Sequence, residues 1–290
     1  MSLGGDRPAA TVGKGAGSDG ATRRHSSAAA AALLLCAASL LEPSAASASG
    51  HLRVCLPAGP DASRDLVEIA EARDILVRSP IFGSYFASIL DEATVSLCFD
   101  PTSVDCRGYF EPETNVIALA PSLSCAEKTL ILAHELRHLD QYGRGFSMSL
   151  DYSMREHIRL TYAVEADTQA FATYFAFVER ENQPLLWQTA LRLSRYEDIA
   201  VAIENAAEAG AAPADIMLAG FRAWYASPWR LKQYYHSAAA NYLDRRDELK
   251  ALPRYAKYPA DRFDDLCRMP DASNYRCQAT DEIRRTPELR

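Results

Sequence analysis

The stretch Leu130-Ile131-Leu132-Ala133-His134-Glu135-Leu136-Arg137-His138-Leu139-Asp140 decides how this chain is read. Leu132, Leu136 and Leu139 recur at i, i+4 and i+7, the period of a helix that buries one side. His134 and His138 are four residues apart, so on a helix they stand roughly 40° apart around the axis and about 6 Å apart along it. From that one face, each imidazole can give a nitrogen to the same metal ion. Glu135 sits beside His134, where its carboxylate can reach a water at the metal without becoming a ligand. The H-E-x-x-H pattern therefore points to a zinc-dependent hydrolase, with His134 and His138 as ligands and Glu135 as general base.

A catalytic zinc needs a third protein ligand and one open position. In the longer pattern H-E-x-x-H-x-x-G-x-x-H, a Gly and a third His would fall at 141 and 144. This chain has Gln141 and Arg144, so the ligand must come from elsewhere. The segment Thr161-Tyr162-Ala163-Val164-Glu165-Ala166-Asp167-Thr168-Gln169-Ala170-Phe171-Ala172 offers Glu165. From Ala163 to Val178 the helical pattern is apolar on nearly every side, which predicts a core helix. A carboxylate there needs a partner, and metal coordination is one of the few that compensate a buried charge. Asp167, two residues on, is placed to hold a ligand histidine through its second ring nitrogen. The competing reading for both carboxylates is an ion pair with Arg137, Arg155 or Arg159. His157 is the alternative third ligand.

HELRHLDQ followed by the helix with EADTQAFA resembles the core of gluzincin-type zinc metallopeptidases, most closely those of bacterial envelopes. The resemblance spans residues 93–180 or so. It implies a mostly helical α+β domain in which a small antiparallel sheet leads into the active-site helix. Thr94–Phe99, Gly108–Phe110 and Asn115–Ala120 are the strands available. It also implies His134, His138 and Glu165 as zinc ligands, Glu135 as base, and a peptide or protein substrate. One departure stands out: a second motif E-x-x-x-D would need Asp at 169, where this chain has Gln169. Such enzymes use a downstream Tyr or His to hold the oxyanion. The run Trp229-Arg230-Leu231-Lys232-Gln233-Tyr234-Tyr235-His236 makes Tyr235 and His236 the candidates. The alternative function is a non-catalytic envelope protein on the same scaffold, with a structural or vestigial metal site.

The amino terminus bears on location. After Arg23 and Arg24, the Ala- and Leu-rich run Ser26 to Leu41 and the small residues Ser44 to Ser49 read as a signal peptide over 1–48, cleaved after Ala48. The expected product is exported, periplasmic or secreted, and free of the membrane. Six cysteines follow: Cys55, Cys98, Cys106, Cys125, Cys267 and Cys277. An even count in an exported chain predicts three disulfides. Cys267 with Cys277 is the pair best placed in sequence, and a second pair is expected to staple the sheet near Cys98 and Cys106.

Residues 49–290 carry 27 basic and 35 acidic residues with no dense basic run, which disfavours nucleic acid as a partner. The pattern predicts a zincin-like domain over 49–250 and an irregular, disulfide-held tail over 251–290. Helices are expected over 61–77 and 81–93, separated at Ser79-Pro80. Further helices are expected near 185–195, 197–209, 213–226 and 229–250. Nothing in the sequence fixes the oligomeric state.

Overall fold

The structure, a computed structural model, describes residues 33–36, 53–56, 64–101, 106–280 and 282–283. Its organising element is helix α4 (Met154–Val178), which is buried almost throughout from Glu156 to Phe177. Ser153 starts it by accepting a hydrogen bond from the Glu156 backbone N–H, the usual remedy for an unsatisfied helix start. Helix α3 (Cys125–Gly143) packs along α4 and begins with a capping box, in which the Ser124 and Glu127 side chains each receive the other's backbone N–H. The leucine stripe predicted one buried side for α3. In fact every residue from Lys128 to Leu139 is buried, His134, Glu135, Arg137 and His138 among them.

Helices α1 (Arg64–Val77) and α2 (Gly83–Ala93) precede the sheet and are divided at Ser79-Pro80, as the sequence predicts. There the Ser79 hydroxyl accepts from the Phe82 N–H and donates to Glu179 at the end of α4. Phe82 and Phe86 lock this region onto Phe171 and Phe175 of α4, with ring centroids 5.2–6.2 Å apart and steeply inclined planes. Each such fully buried ring is worth about 2 kcal/mol in apolar burial.

The strands are β1 (Leu33–Cys36), β2 (Val54–Cys55), β3 (Ser96–Phe99), β4 (Cys106–Glu111) and β5 (Val116–Leu119), in the spatial order β1-β4-β5-β3-β2. The α+β class holds, but the sheet is mixed rather than antiparallel. β4 and β5 form a hairpin that inserts β5 between β3 and β4, so β5 runs parallel to β3, with Ser96 opposite Val116. Asn115 closes the hairpin turn at φ 55, a backbone conformation that Asn tolerates better than most residues. Gly108 lets β4 lie close on α3: a Cβ there would come within 2.6 Å of the Ile131 side chain. β1 lies inside the segment expected to be a signal peptide and pairs antiparallel with β4. The rest of that expectation, residues 1–32 and 37–48, lies outside the described residues.

Helices α5 (Pro184–Arg192), α6 (Glu197–Glu208), α7 (Pro213–Tyr225) and α8 (Pro228–Leu249) enclose α4 from the other side. Cys267 and Cys277 are bonded as expected. The tail is nonetheless no appendage, because Phe263, Leu266, Cys267, Tyr275 and Cys277 are buried in the main core. A second bond staples the sheet at Cys98, as expected, whereas the pairing of all six cysteines into three disulfides needs correction. Cys98 pairs with Cys55 across β2 and β3, where the register sets the two residues opposite each other. Cys125 at the start of α3 is a free thiol, so it takes no part in a third pair.

Candidate metal centre

His134 and His138 meet at Nε2, 3.0 Å apart. Across from them α4 presents Glu165, with Oε2 3.8 Å from His134 Nε2 and Oε1 3.5 Å from His138 Nε2. A tetrahedral ion with bonds of about 2.0–2.1 Å holds its ligand atoms roughly 3.3 Å apart, close to these separations. The three side chains are buried, and their ligand atoms lie within 4.8 Å of one another. His157, the alternative ligand, lies two turns before Glu165 on α4 and is outside this cluster.

The neighbours fix which nitrogen faces the centre. Gln141 Nε2 donates to Val164 O at 3.1 Å and to Asp167 Oδ2 at 2.7 Å, which uses both its protons. Its Oε1 is therefore turned to His138 Nδ1, 3.0 Å away, so Nδ1 carries the proton and Nε2 keeps a lone pair for a metal. Tyr196 Oη is 3.2 Å from His134 Nδ1 and is the partner available to orient that ring. Asp167 thus does not touch a ligand histidine, as the sequence suggested it would. It accepts from Arg137 Nε at 2.7 Å and Nη2 at 3.0 Å and from Tyr275 Oη at 2.6 Å, and it acts on His138 only through Gln141. Arg137 also donates to Tyr85, Asp140 and the carbonyls of Leu266 and Arg268, tying the disulfide-held tail to the back of the site. We expect Gln141→Ala to weaken divalent-metal binding about 10–100-fold while leaving the fold intact. Competition against a chelating dye measures this, and unchanged affinity would mean that Gln141 does not orient His138.

Electrostatics favour a cation at the centre. Burial, then the nearby His138, push His134 well below its usual pKa, and burial brings His138 down to about 4, so both imidazoles are neutral and able to bind metal. Burial raises Glu165 to about 8 against the opposing hydrogen bond from Tyr234. Glu135 is also raised well above its usual range, first by burial and then by the Glu165 charge. No side chain is bonded to either oxygen of Glu135 or to Oε2 of Glu165, all three of them buried, and only the Phe110 backbone opposes the shift of Glu135. Two buried carboxylates so poorly compensated are costly, and a divalent ion between the imidazoles and Glu165 lowers that cost. The residues present therefore fit a divalent metal, and a nitrogen, nitrogen, oxygen donor set suits a first-row transition ion.

Tyr234 of α8 is hydrogen-bonded to Glu165 and accepts from Gln169 Nε2 at 3.2 Å. It is the phenol of the Trp229–His236 run that reaches the centre. Tyr235 and His236 point elsewhere: their rings pack on each other, and His236 is exposed. Successive helical residues are about 100° apart, so only one of the three can face α4. Sequence reasoning also missed Tyr196 and Gln141. Gln141 carried a usable signal, because it lies three residues after His138 and so shares its side of the helix. Tyr196 carried none, since it stands in the turn between α5 and α6 and reaches the site only through tertiary packing.

Two histidines from one helix and a glutamate from the next, buried beside a second glutamate, define an α+β protein with a preformed set of side chains able to hold a metal ion. Residues 45–277 match the family described as "Putative metallopeptidase family (DUF6782)", and the chain belongs to that family. No curated protein and no solved structure matches the chain.

Proposed function

We propose that the protein is an exported zinc-dependent peptidase of gluzincin type, with His134, His138 and Glu165 holding the ion and Glu135 as general base. One observation carries this reading. Glu135 is fully buried next to a metal ligand, with no side chain bonded to either carboxylate oxygen and only the Phe110 backbone acting on it, an arrangement that stability alone does not favour. Among the described residues the cluster has three ligands, the number of a catalytic zinc site, whereas a purely structural site closes with four. Zinc held there supplies a Lewis acid for the scissile carbonyl and a water activated at neutral pH.

The chain's own groups do the rest. Glu135 takes the proton of the attacking water and returns it to the leaving amine, with no other side chain bonded to its oxygens. Tyr234 holds Glu165 in place, and Tyr196 and Gln141 hold the two imidazoles. Export is supported by the two disulfides, which persist in oxidising compartments. No helix of the described residues is long and apolar enough to cross a membrane. Stripping the metal with a chelator is expected to abolish cleavage of a mixture of fluorescence-quenched peptides, and one equivalent of zinc to restore it. Full cleavage by protein shown to be metal-free would refute the proposal.

A further inference from the structure

A cavity of about 170 Å³ lies in the groove between α4 and α8 and reaches Glu165 and Tyr234 at one end. The two helices run antiparallel here. Glu165 meets Tyr234, and eight residues away along each helix the rings of His157 and Tyr242 meet, with centroids 5.3 Å apart. Eight residues of helix span about 12 Å, or roughly three to four residues of extended peptide. The far end of the groove is lined by His157, Asn241 and Arg245.

Two observations mark that end as a place for a ligand. His157 is only 7% exposed, yet its Nδ1 has no hydrogen-bond partner. Arg245 is half-buried beside the same cavity and has no carboxylate partner among the described residues. An arginine facing water would need no explanation. An orphaned, buried imidazole nitrogen next to it does, because leaving such a group unsatisfied is costly. Glu113, from the β4–β5 turn, also borders the cavity, but it is exposed and screened by water.

We propose that this far end is a substrate subsite for a carboxylate, paired with Arg245 and hydrogen-bonded by His157, about three residues from the bond that is cut. The inference rests on the peptidase reading above. Arginine provides the planar fork suited to a carboxylate. Burial, and then the Arg245 charge, hold the His157 imidazole down to about 4, so at neutral pH it is uncharged and can present an N–H donor. Either a chain-terminal carboxylate or an acidic side chain offers the same chemistry.

The test uses zinc-loaded full-length protein carrying Glu135→Gln, so that peptides bind without being consumed. Fluorescence anisotropy compares four labelled alanine hexapeptides: one with a free terminal carboxylate, one amidated, one amidated with Glu as last residue, and one amidated with Gln there. Binding of either or both carboxylate peptides about ten-fold tighter than their neutral counterparts is expected. The two pairs tell the sources apart. The added change Arg245→Gln should bring the preference below about two-fold at unchanged zinc content, and Arg245→Glu should turn it against acidic peptides. Equal binding of all four, no binding of any, or a preference that survives Arg245→Gln would overturn the inference. A charge preference in a protein that cleaves no peptide would support the subsite and count against the peptidase reading, whereas cleavage indifferent to charge would do the reverse.

Discussion

Glu135→Gln is expected to lower peptide hydrolysis by roughly 10²–10⁴-fold while the protein keeps its zinc. Glutamine preserves the shape of the side chain and the packing of α3, where position 135 is fully buried, but it cannot take a proton. The zinc should be retained, because Glu135 is not one of the three side chains whose ligand atoms converge. The fall should appear in kcat at every pH tried, since an amide does not titrate in the working range. Steady-state kinetics with metal analysis of the same sample checks this. Zinc-loaded Glu135→Gln with near wild-type turnover would leave the metal site in place but remove the base.

Asp167→Ala is expected to cost about 3–5 kcal/mol of stability, because it strands the Arg137 guanidinium, fully buried and bonded through two nitrogens to that carboxylate. For a domain of this size, that loss lowers the melting temperature by roughly 10 °C. The same change frees Gln141 Nε2 and Tyr275 Oη, so Gln141 and the disulfide-held tail both loosen. Zinc affinity should drop with stability, which separates this position from an ordinary core ion pair. Asp167→Asn, which keeps two of the acceptor contacts, should cost less. Thermal melts of the metal-free proteins decide it: a shift of under about 2 °C for the alanine variant would mean that Arg137 finds other partners among Asp140 and the tail carbonyls.

The legible part of this site was the part written within single helices. His134, Glu135 and His138 declare themselves by i, i+4 spacing, and Glu165 by being a carboxylate on a helix too apolar to leave it uncompensated. Contacts that depend on how elements pack were less accessible. Arg137 was one of three arginines that could have matched Asp167, and only the fold selects it. Tyr234 could be told from Tyr235 and His236 only by knowing which side of α8 faces α4. The parallel pairing of β3 with β5 comes from the hairpin entering between two strands, and local alternation of residues does not encode that choice. The disulfides divide in the same way. Cys267–Cys277 closes a short loop within one segment, whereas Cys55–Cys98 depends on strand register.

In the proposed site, His134, His138 and Glu165 together hold one zinc ion. Elemental analysis of protein purified under non-chelating conditions, wild type beside His134→Ala and Glu165→Ala, tests it most directly. About one zinc per wild-type chain, with the metal lost from both variants while their helical content persists, is the predicted result. A wild-type chain without metal after growth with zinc would contradict the account, as would full occupancy in the Glu165 variant.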